Sequence, residues 1–200
     1  LVKDLQEGYE LKLENNKVMS AKDLCTLPFI EKLKKIRIKA FKIEGRNRDP
    51  RYVDVVIRVY RKALDKKLTK KEIEQSLEQL KNVYNKEFSS GFFLGLPTKN
   101  DFSKIEHSSA KQKKHFVGKI THYFPKIQVA AIKLISSLKV GDNISIIGKT
   151  TGILNTEVKN MEIKKQMVSQ AKKGDEVGIK LPENMIVRKN DEVYVIIQNK

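Results

Sequence analysis

The chain has 200 residues, 40% of them apolar, which is enough for a buried core in one or two domains. Its net charge of +17, from 41 basic and 24 acidic residues, points to an anionic partner such as nucleic acid, although a mostly Lys-derived surplus also fits a solvated charged surface. One cysteine excludes an internal disulfide framework and suits a reducing, cytoplasmic compartment, and no run approaches the roughly 20 apolar residues needed to span a bilayer. A start at Leu1, with no signal-peptide pattern behind it, reads as a fragment of a longer protein.

Alternation over residues 9–13, a turn at Asn15-Asn16 and a return over 17–19 predict a short hairpin. Ser20 with Asp23 has capping-box spacing, and Pro28 suits the start of a helix whose apolar face holds Ile30, Leu33 and Ile36. Residues 38–43 alternate as a strand that stops at Glu44-Gly45-Arg46. Asp49 and Pro50 then read as N-cap and first residue of a helix over 50–65, with Val53, Val56, Ile57, Tyr60 and Leu64 facing the core. A capping box at Thr69 and Glu72 opens the next helix, which buries Ile73, Leu77, Leu80 and Tyr84.

The aromatics and glycines of residues 88–95 predict a loop, read as a packed plug in preference to an exposed base-stacking platform. Residues 98–114 are polar and read as a linker. Helical spacing then vanishes, and strands are predicted over 116–121, 129–134, 143–147, 157–163, 176–181 and 192–197, with turn signals at Gly141-Asp142, Gly174-Asp175 and Asn190-Asp191. The expectation is an α/β part, residues 1–110, followed by a small all-β barrel, residues 111–200. The charge surplus is shared between the two parts.

Four runs, Met19 to Cys25, Phe41 to Arg46, Tyr52-Val53 with Tyr60 to Ala63, and Phe88 to Phe92, resemble the collagenase-like peptidases of unknown catalytic type, family 32. Gly118 to Lys126 and Lys173 to Gly178 resemble the same family's C-terminal β-barrel, itself similar to the second domain of translation elongation factors. The resemblance implies that residues 1–110 close a barrel-like catalytic domain, and that the parent protein acts in hydroxylation of tRNA or rRNA or cleaves collagen-like substrates. It also implies an iron–sulfur cluster in the full-length protein, with Cys25 matching the last of four cysteine ligands. One thiolate cannot hold a cluster, so none is expected in this fragment, which alone should be inactive.

Glu44 and Arg46 are the candidate catalytic pair, an acid and a planar anion clamp, against the alternative of a structural salt bridge. Cys25 is either a cluster ligand or a packed small residue, and ranks low as a nucleophile because no His is near it in sequence. Lys164, Lys165, Lys172, Lys173 and Arg48 are the candidate nucleic-acid contacts, with Lys111, Lys113 and Lys114 as a further basic run. His122, with Tyr123 and Phe124, either stacks on a base or forms a barrel corner. His107, His115 and His122 lack zinc-ligand spacing, and no phosphate-binding glycine loop occurs. RNA is the expected partner of the barrel, a protein substrate is the alternative, a purely structural barrel is the third reading, and no membrane is expected.

Overall fold

The computed structural model describes residues 2–3, 5–8, 10–11, 20–105 and 107–199. The chain divides into two compact units, Leu1–Arg46 with Val55–Ala110, and Asn47–Asp54 with Lys111–Lys200.

In the first unit β1 (Val2–Lys3) pairs antiparallel with β2 (Glu10–Leu11). The hairpin expected over residues 9–19 falls largely outside the described residues. After β3 (Asp23–Leu24), a 3₁₀ turn over Leu27–Phe29, with Pro28 in its first positions, leads into α1 (Ile30–Lys35). The capping box expected at Ser20 and Asp23 does not form. The Asp23 carboxylate accepts the Lys86 amide at 3.0 Å instead, and the buried Ser20 hydroxyl has no partner among the described residues.

α2 (Pro50–Asp65) begins where Asp49-Pro50 predicts, with Asp49 Oδ1 accepting the Tyr52 amide at 3.1 Å. Its buried stripe is Val56, Val59 and Ala63, while Ile57 is 48% exposed, so the face is turned from the one expected. Positions 56, 59 and 63 keep the three-and-four spacing, and residue 57 sits about 100° round from 56. α3 (Lys70–Lys81) carries the predicted capping box: Thr69 Oγ1 accepts the Glu72 amide and Glu72 accepts the Thr69 amide at 3.0 Å. β4 (Phe88–Ser89) then pairs parallel with β3.

Two expectations for this unit are corrected. Residues 38–43 join no sheet, because a strand needs a neighbour to take its N–H and C=O groups and none of the described residues provides one. The 88–95 loop is no plug: Phe92, Phe93 and Leu94 are 76%, 52% and 59% exposed, and Phe93 keeps one tilted ring contact with Phe29 at 5.7 Å. The 98–110 segment is anchored, since buried Asn85 holds Ser109 through its carbonyl at 2.8 Å and through a side-chain contact with the Ser109 hydroxyl.

The second unit contains β5 (Gln112–Phe124), β6 (Val129–Leu134), β7 (Leu138–Lys139), β8 (Asn143–Gly148), β9 (Gly152–Glu157), β10 (Glu162–Ile163), β11 (Gln166–Met167), β12 (Gln170–Ala171), β13 (Glu176–Lys180) and β14 (Glu192–Gln198). Eight of them form one antiparallel sheet in the order β11-β10-β13-β6-β5-β14-β8-β9, and β12 pairs separately with β7. The expected barrel is therefore corrected to a large sheet whose hydrogen-bond ladder does not close, because β9 and β11 remain opposite edges.

β5 bends across this sheet through two bulges, where its partners skip Val117 and Thr121, and these reset which side chains face inward. Val117, Ile120, Ile132, Leu134, Ile144, Ile146, Val177, Ile179 and Val193 form the core. At Gly118 a side chain is barred, since a Cβ would meet the Lys133 carbonyl oxygen at 2.3 Å. The strand expected over 157–163 is interrupted: Val158 and Met161 are both buried, a spacing of three that no flat strand satisfies.

Three turns feed β8, β13 and β14 with one geometry. In each, an aspartate at the fourth position accepts the amide of the first: Asp142 from Lys139 at 2.8 Å, Asp175 from Lys172 at 2.8 Å, and Asp191 from Arg188 at 2.7 Å. The third residues, Gly141, Gly174 and Asn190, have φ of 92°, 94° and 73°, where glycine or asparagine carries least strain.

Candidate functional site

Glu44 and Arg46 lie in the first unit, after residues 38–43, where the chain enters a turn at Arg46. Both are exposed, and Glu44 Oε1 accepts the Arg46 amide at 3.0 Å, a short-range bond that closes the turn. The carboxylate is thus pinned by backbone while the Arg46 guanidinium has no ion-pair partner among the described residues. Such a fork is available to an anion.

Cys25 is buried behind β3, its amide donating to the Ser89 carbonyl at 2.9 Å. The Tyr60 hydroxyl stands 3.8 Å from Sγ and accepts the Thr26 amide at 3.0 Å. Burial pushes the Cys25 thiol up, only partly offset by the Leu27 backbone and Tyr60. Burial likewise pushes Tyr60 up to about 12. Tyr60 read in the sequence as one more stripe residue; the signal that marks it is a hydroxyl inside an apolar face, which needs a polar partner. No group of three or more His, Cys, Asp or Glu residues gathers as a metal site among the described residues. Cys25, the chain's single cysteine, is a free, buried thiol.

In the second unit the four candidate lysines lie on two turns at one end of β13. Lys164 and Lys165 form the two-residue turn between β10 and β11, with φ of 50° and 66°, the doubly positive geometry that closes a tight hairpin. Lys172 and Lys173 begin the turn that leads into β13. Glu162 pairs with Gly178, so antiparallel register carries Lys164 to the Glu176 end of β13, beside the Lys172 turn. All four are exposed.

Next to that end, one row across four strands reads Glu192, Lys119, Lys133, Glu176. Lys119 pairs with Glu192 at 3.5 Å, and Lys133 Nζ donates to the Gly174 carbonyl at 2.6 Å. These two lysines are tied to the fold, in contrast with the four in the turns. Arg48, grouped with the second unit, lies over the Tyr52 ring at 5.3 Å. Lys114 is likewise engaged, 3.4 Å from Asp49 and 4.6 Å from the Tyr194 ring centre. Among the described residues no helix is long and apolar enough to cross a membrane.

A basic chain of two units, dominated by a large antiparallel sheet with lysine-bearing turns, is the class these features define. The chain belongs to peptidase family U32, whose model matches residues 2–103. It is 38% identical over 202 residues to an uncharacterized protease of Methanocaldococcus jannaschii, covering 98% of this chain and 49% of that protein. It is 37% identical over 198 residues to a collagenase of Porphyromonas gingivalis, covering 96% and 47%. Over 167 residues it is 30% identical to tRNA hydroxylation protein P of Escherichia coli, covering 82% and 36%. The chain spans about half the length of the first two of these relatives. Among solved structures, the C-terminal domain of a U32 peptidase candidate from Geobacillus thermoleovorans matches 40% of this chain and 90% of its own length, at 13% identity and a TM-score of 0.38.

Proposed function

We propose that this chain is the RNA-docking portion of a U32 protein that acts in RNA hydroxylation, with the second unit gripping the phosphate backbone. The observation that carries the reading is that Lys164, Lys165, Lys172 and Lys173 are all exposed, on two turns at the same end of β13. Relatives named for tRNA hydroxylation support the choice of RNA as the polyanion. Arg46, with its open guanidinium, is the residue proposed to meet an anionic group of the substrate, and Glu44 to position it.

The collagenase relative favours a second reading, cleavage of a protein substrate. Cys25 serves that reading poorly. A nucleophilic thiol needs a lowered pKa and a base, and this one is raised by burial beside a hydroxyl that is itself hard to ionise.

The test is binding of the chain to total tRNA across a salt series, beside a variant with all four turn lysines changed to Glu. Docking through these lysines predicts saturable binding whose log-log salt slope is shallower in the variant by up to about four. Absence of binding at 50 mM salt, roughly the low end of the range where such contacts are strong, would overturn the reading.

A further inference from the structure

We infer that the second unit also carries a site for an unpaired nucleotide, at the end of β13 opposite the lysine turns. This rests on the RNA reading above and goes beyond it, because the lysine turns offer charge alone whereas this second place offers a recess, hydrogen-bonding groups and ring faces.

A cleft of about 260 Å³ lies where the β5–β6 turn meets the ends of β9 and β13. Leu181 and Pro182 supply its apolar wall, and Leu181 is buried. Into it face Gln128, Asn160, Lys159 and Lys180. Their side chains have no hydrogen-bond or ion-pair partner among the described residues. Gln128 is held by its own backbone, with φ of 55° and its carbonyl accepting the Leu181 amide at 2.8 Å, so its amide group is presented by a fixed turn. Glu157 and Glu183 complete the rim and balance the two lysines, which makes the recess a reader of hydrogen bonds more than an attractor of charge. Carboxylates accept from exocyclic amino groups, so the site favours adenine or cytosine over uracil.

The adjoining sheet face holds two exposed rings. His122 and Phe124 are 4.3 Å apart and tilted, and both lie on the outer side of β5 while Tyr123 turns in to bond the Met185 carbonyl at 2.8 Å. Phe124 pairs with Val129, and Val129 with Lys180, so the Phe124 ring and the Lys180 stem share one face two strands apart, about 10 Å. That is the combination by which unpaired nucleotides are held, a ring to stack on, a cation for the phosphate and amides for the base edge. β13 spans about 13 Å between this place and the lysine turns, so a single RNA strand can touch both.

The experiment measures binding of this chain to single-stranded tetra-adenylate, tetra-uridylate and total tRNA at one salt concentration. Two variants are compared with the parent, His122→Ala with Phe124→Ala, and Asn160→Leu with Lys180→Glu. Their circular dichroism and unfolding midpoints check that both fold. The site predicts tetra-adenylate bound more tightly than tetra-uridylate, and weakened about tenfold or more by the ring variant. If tRNA binds but neither variant changes tetra-adenylate affinity, or tetra-adenylate does not bind, the site is refuted while RNA docking stands. If the parent binds neither RNA, both fall. Binding of a Gly-Pro-rich peptide that the same variants abolish, without oligonucleotide binding, would reassign the cleft to a protein substrate.

Discussion

Gly148 lies directly against the Asp191 carboxylate: a Cβ on Gly148 would stand 1.9 Å from Asp191 Oδ1. The carboxylate cannot withdraw freely, because it accepts the Thr151 hydroxyl at 2.6 Å and the Arg188 amide at 2.7 Å, and the same residue's carbonyl holds the Ile120 amide at 2.9 Å. Gly148→Ala is therefore expected to cost about 1–3 kcal/mol, as overpacking does, read as a lower urea midpoint. An unchanged midpoint would mean that the turn shifts without penalty.

The three aspartate turns should not be equally sensitive. Asp191 is 5% exposed, whereas Asp142 and Asp175 are partly exposed and water can replace them on the Lys139 and Lys172 amides. Asp191→Ala strands a part-buried amide and a hydroxyl, a loss of about 1–3 kcal/mol, and Asp142→Ala or Asp175→Ala should cost roughly 1 kcal/mol or less. Parallel denaturant titrations of the three variants check the order, and equal losses would overturn it.

Cys25 and Tyr60 form a closed pair in the first unit. Since burial raises the thiol, alkylation of the folded chain near pH 8 should run at least ~10-fold slower than in denaturant. Tyr60→Phe removes the acceptor of the Thr26 amide and should cost about 1–3 kcal/mol while speeding alkylation by loosening the site. Equal alkylation rates in the folded and denatured chain would place Cys25 at the surface instead.

The parts of this fold that were legible in the sequence are those written in local chemistry. Asp49-Pro50 marks the start of α2 and Thr69 with Glu72 marks that of α3, because a cap is a contact between residues three apart. β6 and β14 follow from alternation bounded by turn residues. The strand expected over 38–43 failed for the converse reason, since pairing depends on a distant partner that alternation does not reveal. Likewise, the exposed Phe92 and Phe93 could not be told from a buried plug by residue type. Of the site, the lysine turns were visible as charge runs, but their placement at one end of β13 needed the register of β10 on β13. The cleft left no trace, because Gln128 and Asn160 acquire meaning only when three strand ends meet.

The capping box of α3 carries a pH signature. The bond from Lys66 at 2.7 Å, with help from the Thr69 amide, holds Glu72 well below its ordinary 4.5, at about 2. A depressed carboxylate stabilises the fold fully above its ordinary value and loses that contribution as pH falls from about 4.5 toward 2. The folded chain should thus lose helix content over this window, and Glu72→Gln should flatten the change. Thr69→Ala should cost about 1 kcal/mol at neutral pH, the usual loss of a cap. Circular dichroism against pH for the three proteins is the check, and identical curves for Glu72→Gln and the parent would remove the assignment.

Glu44 and Arg46 are separable from stability by the way they are held. Both are exposed, and the one bond between them uses the Arg46 backbone amide, which survives any change of the arginine side chain. Arg46→Ala should therefore leave the unfolding free energy within about 0.5 kcal/mol. If the guanidinium meets substrate, the same change in the full-length protein should lower the hydroxylated nucleoside content of cellular tRNA, measured by mass spectrometry of digests. Arg46→Lys should restore it only in part, since an ammonium keeps the charge but lacks the planar fork. A loss of modification that tracked a loss of stability would return Arg46 to a structural role, whereas modification lost at unchanged stability would place its side chain against the substrate.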